Sequence, residues 1–166
     1  MSEEFVDLID ENDKAIGKVS RKDMRKRNLW HRSTAILVFN SKGELLIQKR
    51  AMAKDAFPGY YDFFFGGCLA CGESYDENAI RELGEETGLK GIKPEFLFHS
   101  KYGDDKTRVH FNVYRVLSDG PFGFQEEEVE KAFFVTIKEA KEMAKKEKFC
   151  HDSAFAFEKY LRMVEK

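Results

Sequence analysis

Three carboxylates crowd the end of one helical segment. Glu82, Glu85 and Glu86 stand at i, i+3 and i+4, so their side chains project from one side of its last two turns. Like charges at that spacing destabilise a helix by roughly 0.2–0.5 kcal/mol per pair. Negative charge near a helix C-terminus costs about 0.3–1 kcal/mol more at an exposed site. Glu82 has no cation three or four residues away: its neighbours there are Asn78, Ala79, Glu85 and Glu86. Arg81 can offset Glu85, and Lys90 can offset Glu86. A solvated acidic face is one reading, but it leaves the crowding unexplained. A hard divalent cation explains it, because Mg²⁺ takes oxygen ligands and shares them with substrate phosphates.

The helix that carries these groups announces both its ends. Ser74-Tyr75-Asp76-Glu77 has the spacing of a capping box, and Gly88 suits the left-handed position just past a helix end. Ala79, Ile80 and Leu83 are the expected core face.

Gly67, Glu73, Arg81-Glu82-Leu83, Glu85-Glu86 and Gly88-Leu89 together reproduce, with spacing intact, the motif of the Nudix hydrolases. The chain resembles that superfamily. Its flanks are similar to the branch that includes isopentenyl-diphosphate isomerase and related hydrolases. The resemblance implies an α/β/α sandwich with a mixed β-sheet, here extended by an N-terminal β-hairpin. It implies Mg²⁺-dependent hydrolysis of a diphosphate linkage in a nucleoside diphosphate derivative or related compound, with Mn²⁺ as a substitute ion. It further implies that Glu82, Glu85 and Glu86 hold metal with the Gly67 backbone carbonyl. Arg81 and Glu73 would support the site as a pair. The general base is Glu82, Glu85 or a downstream glutamate, for which Glu128 is the choice within Glu126–Glu128.

Two rival functions remain in view. In the isomerase a catalytic Cys precedes the Gly that opens the motif; Gly66 stands there. A ligand His two positions later is Cys68, and of two further histidines seven apart, His31 matches while Met24 replaces the other. The second rival is a non-catalytic diphosphate-binding module, which has no need of the full carboxylate set.

Other residues invite chemistry less firmly. His31 is either a phosphate contact or a satisfied strand-edge histidine, and Arg50 is taken as a substrate-binding cation. Residues 20–28 read as a helix started by Ser20 and Asp23. Arg21, Lys22, Arg25, Lys26 and Arg27 make it basic, and they either face solvent or steer an anion. Cys68 and Cys71 lack the second Cys/His pair of a zinc site. The aromatic residues Phe57, Tyr60, Tyr61, Phe63, Phe64 and Phe65 are core or a base-stacking surface.

The positioning elements follow from pattern. Strands are expected at 5–9 and 15–19, at 34–39 and 44–49 as a hairpin about Asn40-Ser41-Lys42-Gly43, at 61–65, at 95–102 and 108–116, and near 133–135. A helix capped by Thr136 should run to about 146. A last helix over 153–165 should bury Phe157, Leu161 and Val164. With 166 residues, 42% hydrophobic and 14% aromatic, one domain spanning 1–166 with residues 1–30 as its extension is expected. The net charge of −2 gives no basis for stable nucleic-acid binding. The acidic start, MSEEFVDLIDEND, does not read as a signal peptide, no run is long enough for a membrane, and three cysteines suggest no disulfide framework. A cytoplasmic protein acting on a small-molecule diphosphate is expected, with a homodimer compatible with the pattern.

Overall fold

The computed structural model describes residues 3–165. Met1, Ser2 and Lys166, which belong to the 1–166 unit expected above, lie outside the described residues. Two antiparallel strands, β1 (Phe5–Ile9) and β2 (Ala15–Ser20), form a separate hairpin and lead into the short helix α1 (Arg21–Lys26). The main sheet has six strands: β3 (Trp30–Phe39), β4 (Leu45–Arg50), β5 (Tyr61–Asp62), β6 (Glu95–Gly103), β7 (Arg108–Leu117) and β8 (Val129–Val135). Helix α2 (Tyr75–Thr87) lies between β5 and β6 in sequence, and α3 (Ile137–Lys146) and α4 (His151–Val164) follow β8.

Period-two alternation in β3 separates the two faces of the sheet. Ile36 and Val38 join Ala79 and Leu83 of α2 in one core cluster, while Leu37 and Phe39 join Phe157 and Tyr160 of α4 in the other. The sheet is mixed, because β3 pairs with β7 in parallel whereas β6–β7 and β4–β8 are antiparallel. The expected α/β/α sandwich with a mixed sheet is the observed architecture.

The expected hairpin of β3 and β4 holds only at its turn. The two strands pair at Phe39↔Leu45 and then diverge; β3 takes β7 as its partner and β4 takes β8. A one-sequence reading sees adjacency along the chain and cannot see the competing edge. The wedge between the strands is filled by residues 61–68. Tyr61 and Asp62 pair with β4, while Phe65 and Cys68 bridge to Ile36 and Ser33 of β3. The strand expected over 61–65 is therefore split in two, and the one expected near 133–135 begins at Val129 because β4 offers it a full edge.

Two helical faces also differ from expectation. Ile80 is 51% exposed, since Ala79, Leu83 and Glu86 define the buried stripe. On α4, Ala156, Phe157 and Tyr160 are buried while Val164 is exposed, because the helix projects past the sheet at its end. No described helix is long and apolar enough to cross a membrane.

Phe63 is fully buried between Phe149 and Phe157, with ring centroids 4.0 Å away on each side. Phe63→Ala should destabilise the protein by about 3–5 kcal/mol. Urea unfolding followed by circular dichroism will show a lowered midpoint with little change in slope.

Candidate active site

The segment that wedges between β3 and β4 delivers Gly66 and Gly67 to the C-terminal half of α2. Gly66 has φ 143°, and a Cβ there would lie 2.1 Å from the Thr34 carbonyl oxygen, so no other residue fits. A Cβ on Gly67 would lie 2.8 Å from Glu82 Oε1. The glycine thus lets the Glu82 carboxylate pack directly against the backbone. The Gly66 amide donates to Glu86 Oε1 at 2.6 Å. The Gly67 carbonyl, expected to face a metal, accepts the Thr34 amide at 3.2 Å and keeps one lone pair uncommitted.

Helix α2 is fixed at both ends as its sequence requires. Ser74 and Glu77 form a reciprocal capping box, and Gly88 adopts φ 79°. Between them Glu73, in the preceding loop, grips Arg81. Arg81 Nε donates to Oε2 at 2.7 Å and Nη2 to Oε1 at 3.0 Å. Glu73 also accepts the Ala70 amide and the Asn78 side chain. Burial works to raise its pKa, but the hydrogen bonds from Arg81, Ala70 and Asn78 prevail and hold it near 2.

Asn78 is a positioning residue that sequence reasoning missed. Fully buried in the helix, it donates to the Cys68 carbonyl at 3.0 Å and accepts the Thr34 hydroxyl at 2.5 Å, tying loop, helix and β3 together. An Asn inside an otherwise well-formed helix, where its propensity is poor, was the available signal.

The three crowded glutamates do not behave alike. Glu86 is 5% exposed, and burial followed by repulsion from Glu82 pushes it up to about 8. Glu82 is pushed up to about 7, chiefly by burial, with Arg81 opposing and Glu85 adding. Glu85 departs from the expected set: its side chain is about half exposed and lies 3.1 Å from Arg81 Nη1. The same Arg81 nitrogen also lies 3.3 Å from Glu82 Oε1, so one guanidinium serves both carboxylates.

Across the cavity stands a cationic wall. Glu82, Glu85, Glu86, Gly67, Lys54, Arg21 and Glu128 line one space, which continues into a second of about 90 Å³ holding Arg25, His31, Arg50 and Cys68. Of the basic residues in α1, Arg21 and Arg25 turn inward, while Lys22, Lys26 and Arg27 are exposed. The buried Nε atoms of Arg21 and Arg25 have no hydrogen-bond partner; Asp55 lies 3.4 and 3.8 Å from them as an ion pair only. Glu128 pairs with Lys54, whereas Glu126 and Glu127 are exposed. Lys54 gave no signal in sequence, because only folding brings residue 54 beside residue 128.

His31 is buried, and its Nδ1 lies 3.2 Å from the Leu29 carbonyl, so the strand-edge and cavity readings both apply to one residue. Arg50 donates to the Ala56 carbonyl at 3.0 Å and lies 3.8 Å from Asp62. Cys68 accepts from Arg25 at 3.2 Å while Cys71 donates to Asp7, so the two thiols serve different partners. Phe63, Phe64 and Phe65 are core; Phe57 lines the inner cavity.

A buried carboxylate pair behind a glycine loop, facing arginines and a lysine, is the site of a hydrolase that works on phosphoanhydrides. The chain belongs to the NUDIX family, whose domain model matches residues 29–155. It is similar to an uncharacterized Nudix hydrolase of Pseudomonas aeruginosa, at 36% identity over 95% of this chain and 94% of that protein. The crystal structure of DR0079 from Deinococcus radiodurans superposes with a TM-score of 0.79 at 26% identity, covering 94% of this chain and 98% of that one. The NUDIX domain of Shewanella oneidensis NrtR, complexed with ADP ribose, shares the fold at a TM-score of 0.64 and 14% identity, covering 88% and 99%. The protein is a Nudix hydrolase. None of these likenesses singles out the isomerase-like branch.

Two outcomes follow from this geometry. Glu73→Ala should lower stability by about 1–3 kcal/mol, because Arg81 and Asn78 lose a charged acceptor. Glu77→Gln, which keeps a capping-box side chain, should change the melting temperature little. Differential scanning calorimetry on both variants checks the contrast. The raised pKa values of Glu82 and Glu86 mean that the folded protein without metal binds more protons than the unfolded chain between about pH 4.5 and 8. Their contribution is present at low pH and is lost as pH rises through the folded values. In EDTA, Glu86→Gln should therefore gain stability relative to wild type as pH rises from 5 to 8.5.

Proposed function

We propose that the enzyme hydrolyses a diphosphate linkage in a nucleoside diphosphate derivative or related small molecule, with Mg²⁺, or Mn²⁺ in its place, held by Glu82 and Glu86. Glu85 is available from the same helix as a further ligand. The observation that carries this reading is the buried, mutually repelling pair Glu82 and Glu86 with pKa values raised to about 7 and 8. Arg81, 3.3 Å from Glu82 Oε1, compensates the pair only in part, since both carboxyls stay well above the ordinary carboxylate range. An all-oxygen donor set that includes the remaining Gly67 lone pair suits a hard ion. Nudix hydrolases generally use divalent metals. When bound, the ion would neutralise charge on phosphoryl oxygens and acidify a water.

The chain's own residues supply the rest. Arg21, Arg25, Arg50 and Lys54 form a positive wall for the anionic substrate, and the orphaned Nε atoms of Arg21 and Arg25 await acceptor oxygens. Glu128 sits at the rim of the carboxylate cavity and is the proton acceptor for the attacking water. A phosphate that takes Lys54 would release Glu128 from its ion pair. Glu73, Arg81 and Asn78 hold the glycine loop against α2 without touching substrate. The ADP ribose complex of the NrtR domain supports a nucleoside diphosphate derivative as the substrate class.

The test is a Mg²⁺-dependent screen of the purified protein against nucleoside di- and triphosphates, ADP-ribose, dinucleotide polyphosphates and coenzyme A, with products identified. On the best substrate, Glu86→Gln should cost about 10²-fold or more in kcat with the fold retained. Arg25→Gln should act mainly on KM. Near-wild-type turnover by Glu86→Gln would overturn the metal assignment. Isopentenyl diphosphate should yield no dimethylallyl diphosphate, because Gly66 offers no thiol and its amide is committed to Glu86.

A further inference from the structure

A second constellation lies away from the carboxylate cavity, at the N-terminal end of α2. Asp13 in the β1–β2 turn, His99 on β6 and His110 on β7 offer ligand atoms that all lie within 4.8 Å of one another. The two rings are stacked, centroids 5.2 Å apart, and His99 Nε2 lies 3.0 Å from His110 Nδ1. His110 is buried, Asp13 half-buried and His99 exposed, so the group is built into the fold yet open on one side.

The outward nitrogens of both rings are already committed. His110 Nε2 lies 2.7 Å from the Glu11 carbonyl, which can only accept, so this nitrogen carries a proton and leaves Nδ1 as a lone pair. His99 Nδ1 lies 2.7 Å from Asn112 Oδ1. An amide oxygen can only accept. His99 therefore carries its proton on Nδ1, and its Nε2 also presents a lone pair. Two lone pairs then face each other at 3.0 Å. Only a third proton or a cation between the rings removes the repulsion.

Backbone and amide oxygens holding the far nitrogens of paired imidazoles are the outer support typical of histidine metal ligands. The Asp13 carboxylate accepts from Arg32 Nε at 2.6 Å and from the Tyr75 hydroxyl at 2.8 Å, and it retains lone pairs for a third bond. The nearby cations are Arg32 on Asp13 and Lys101, whose Nζ lies 3.4 Å from the Glu11 carbonyl. They disfavour an ion held by charge alone, such as Mg²⁺. A borderline ion bound through imidazole nitrogen is favoured.

We propose that Asp13, His99 and His110 form a second metal site for a divalent transition ion of the zinc class, distinct from the site of hydrolysis. Both inward lone pairs bind the ion, any third proton leaves to solvent, and water completes the coordination. The ion fastens the turn at residues 10–14 to the sheet. Its effect extends along the hairpin, since Phe5 and Val6 of β1 line the carboxylate cavity and the Phe5 carbonyl accepts the Cys71 amide.

The experiment is titration of the full-length protein with Zn²⁺, followed by ¹⁵N-histidine NMR and isothermal calorimetry. One equivalent should shift His99 Nε2 and His110 Nδ1 together and raise the melting temperature. His99→Gln, at an exposed position, should weaken that binding about 10–100-fold while leaving the fold intact. The proposal is overturned if Zn²⁺ leaves both imidazoles unmoved, in which case a third proton occupies the gap. It is equally overturned if His99→Gln binds as tightly as wild type, or if the bound ion perturbs only Cys68 and Cys71.

Discussion

Burial of two like charges governs this structure. Glu82 and Glu86 lie one turn apart on α2 and pack against a glycine backbone, Glu86 buried and Glu82 nearly so, where water screens them poorly. Each is raised well above the ordinary carboxylate range, by desolvation first and then by neighbouring carboxylates. Such an arrangement persists only because the surrounding parts are over-determined. The capping box starts the helix, Gly88 ends it, and Leu83 and Ala79 anchor its inner face in the core. The stability given up at the pair is offset by the rest of the helix, and the proposed metal site builds on that strain.

The glycine loop reaches that pair because the sheet opens. Had β3 and β4 continued as a regular hairpin, no space would exist for residues 61–68. Their divergence after Phe39↔Leu45 lets Phe65 bridge to Ile36 and carries Gly66 and Gly67 under α2. Glu73 and Asn78, hydrogen-bonded to each other, then lock the returning loop to the helix, Glu73 through Arg81 and Asn78 through Thr34 and the Cys68 carbonyl. The same helix thus carries the crowded glutamates, and it meets the backbone that confines them and the residues that hold that backbone in place.

Opposing charge is assembled from distant parts of the chain. Arg21 and Arg25 come from the N-terminal extension, Lys54 from the loop after β4, and Glu128 from the segment before β8. The extension does more than cover an edge. Arg32 reaches Asp7 and Asp13, Asp7 holds the Cys71–Gly72 turn, and α1 delivers two guanidiniums whose buried Nε atoms face Asp55 at ion-pair distance without a hydrogen bond.

Local rules made much of this legible in one dimension. The capping residues Ser74 and Gly88 and the i, i+3, i+4 carboxylates are short-range features, and sequence reading placed them within a residue of where they lie, whereas the Glu73–Arg81 pair was expected from the family motif. The nearly unbroken apolar run at 34–39 likewise implied a strand covered on both faces. Tertiary structure alone decided the rest. Strand partners are chosen by competition among edges, so β3 left β4 for β7. Burial of a helix face depends on what packs against it, so Ile80 is exposed and Asn78 is not. Arg81 reaches both Glu82 and Glu85, yet only Glu85 is about half exposed, and Lys54 meets Glu128 because β4 and β8 are neighbours. The sequence by itself determined which carboxylates share one side of α2, since the chain's own periodicity gathers those groups. Which cations face them, and which of them are buried, were set only when remote segments closed the cavity.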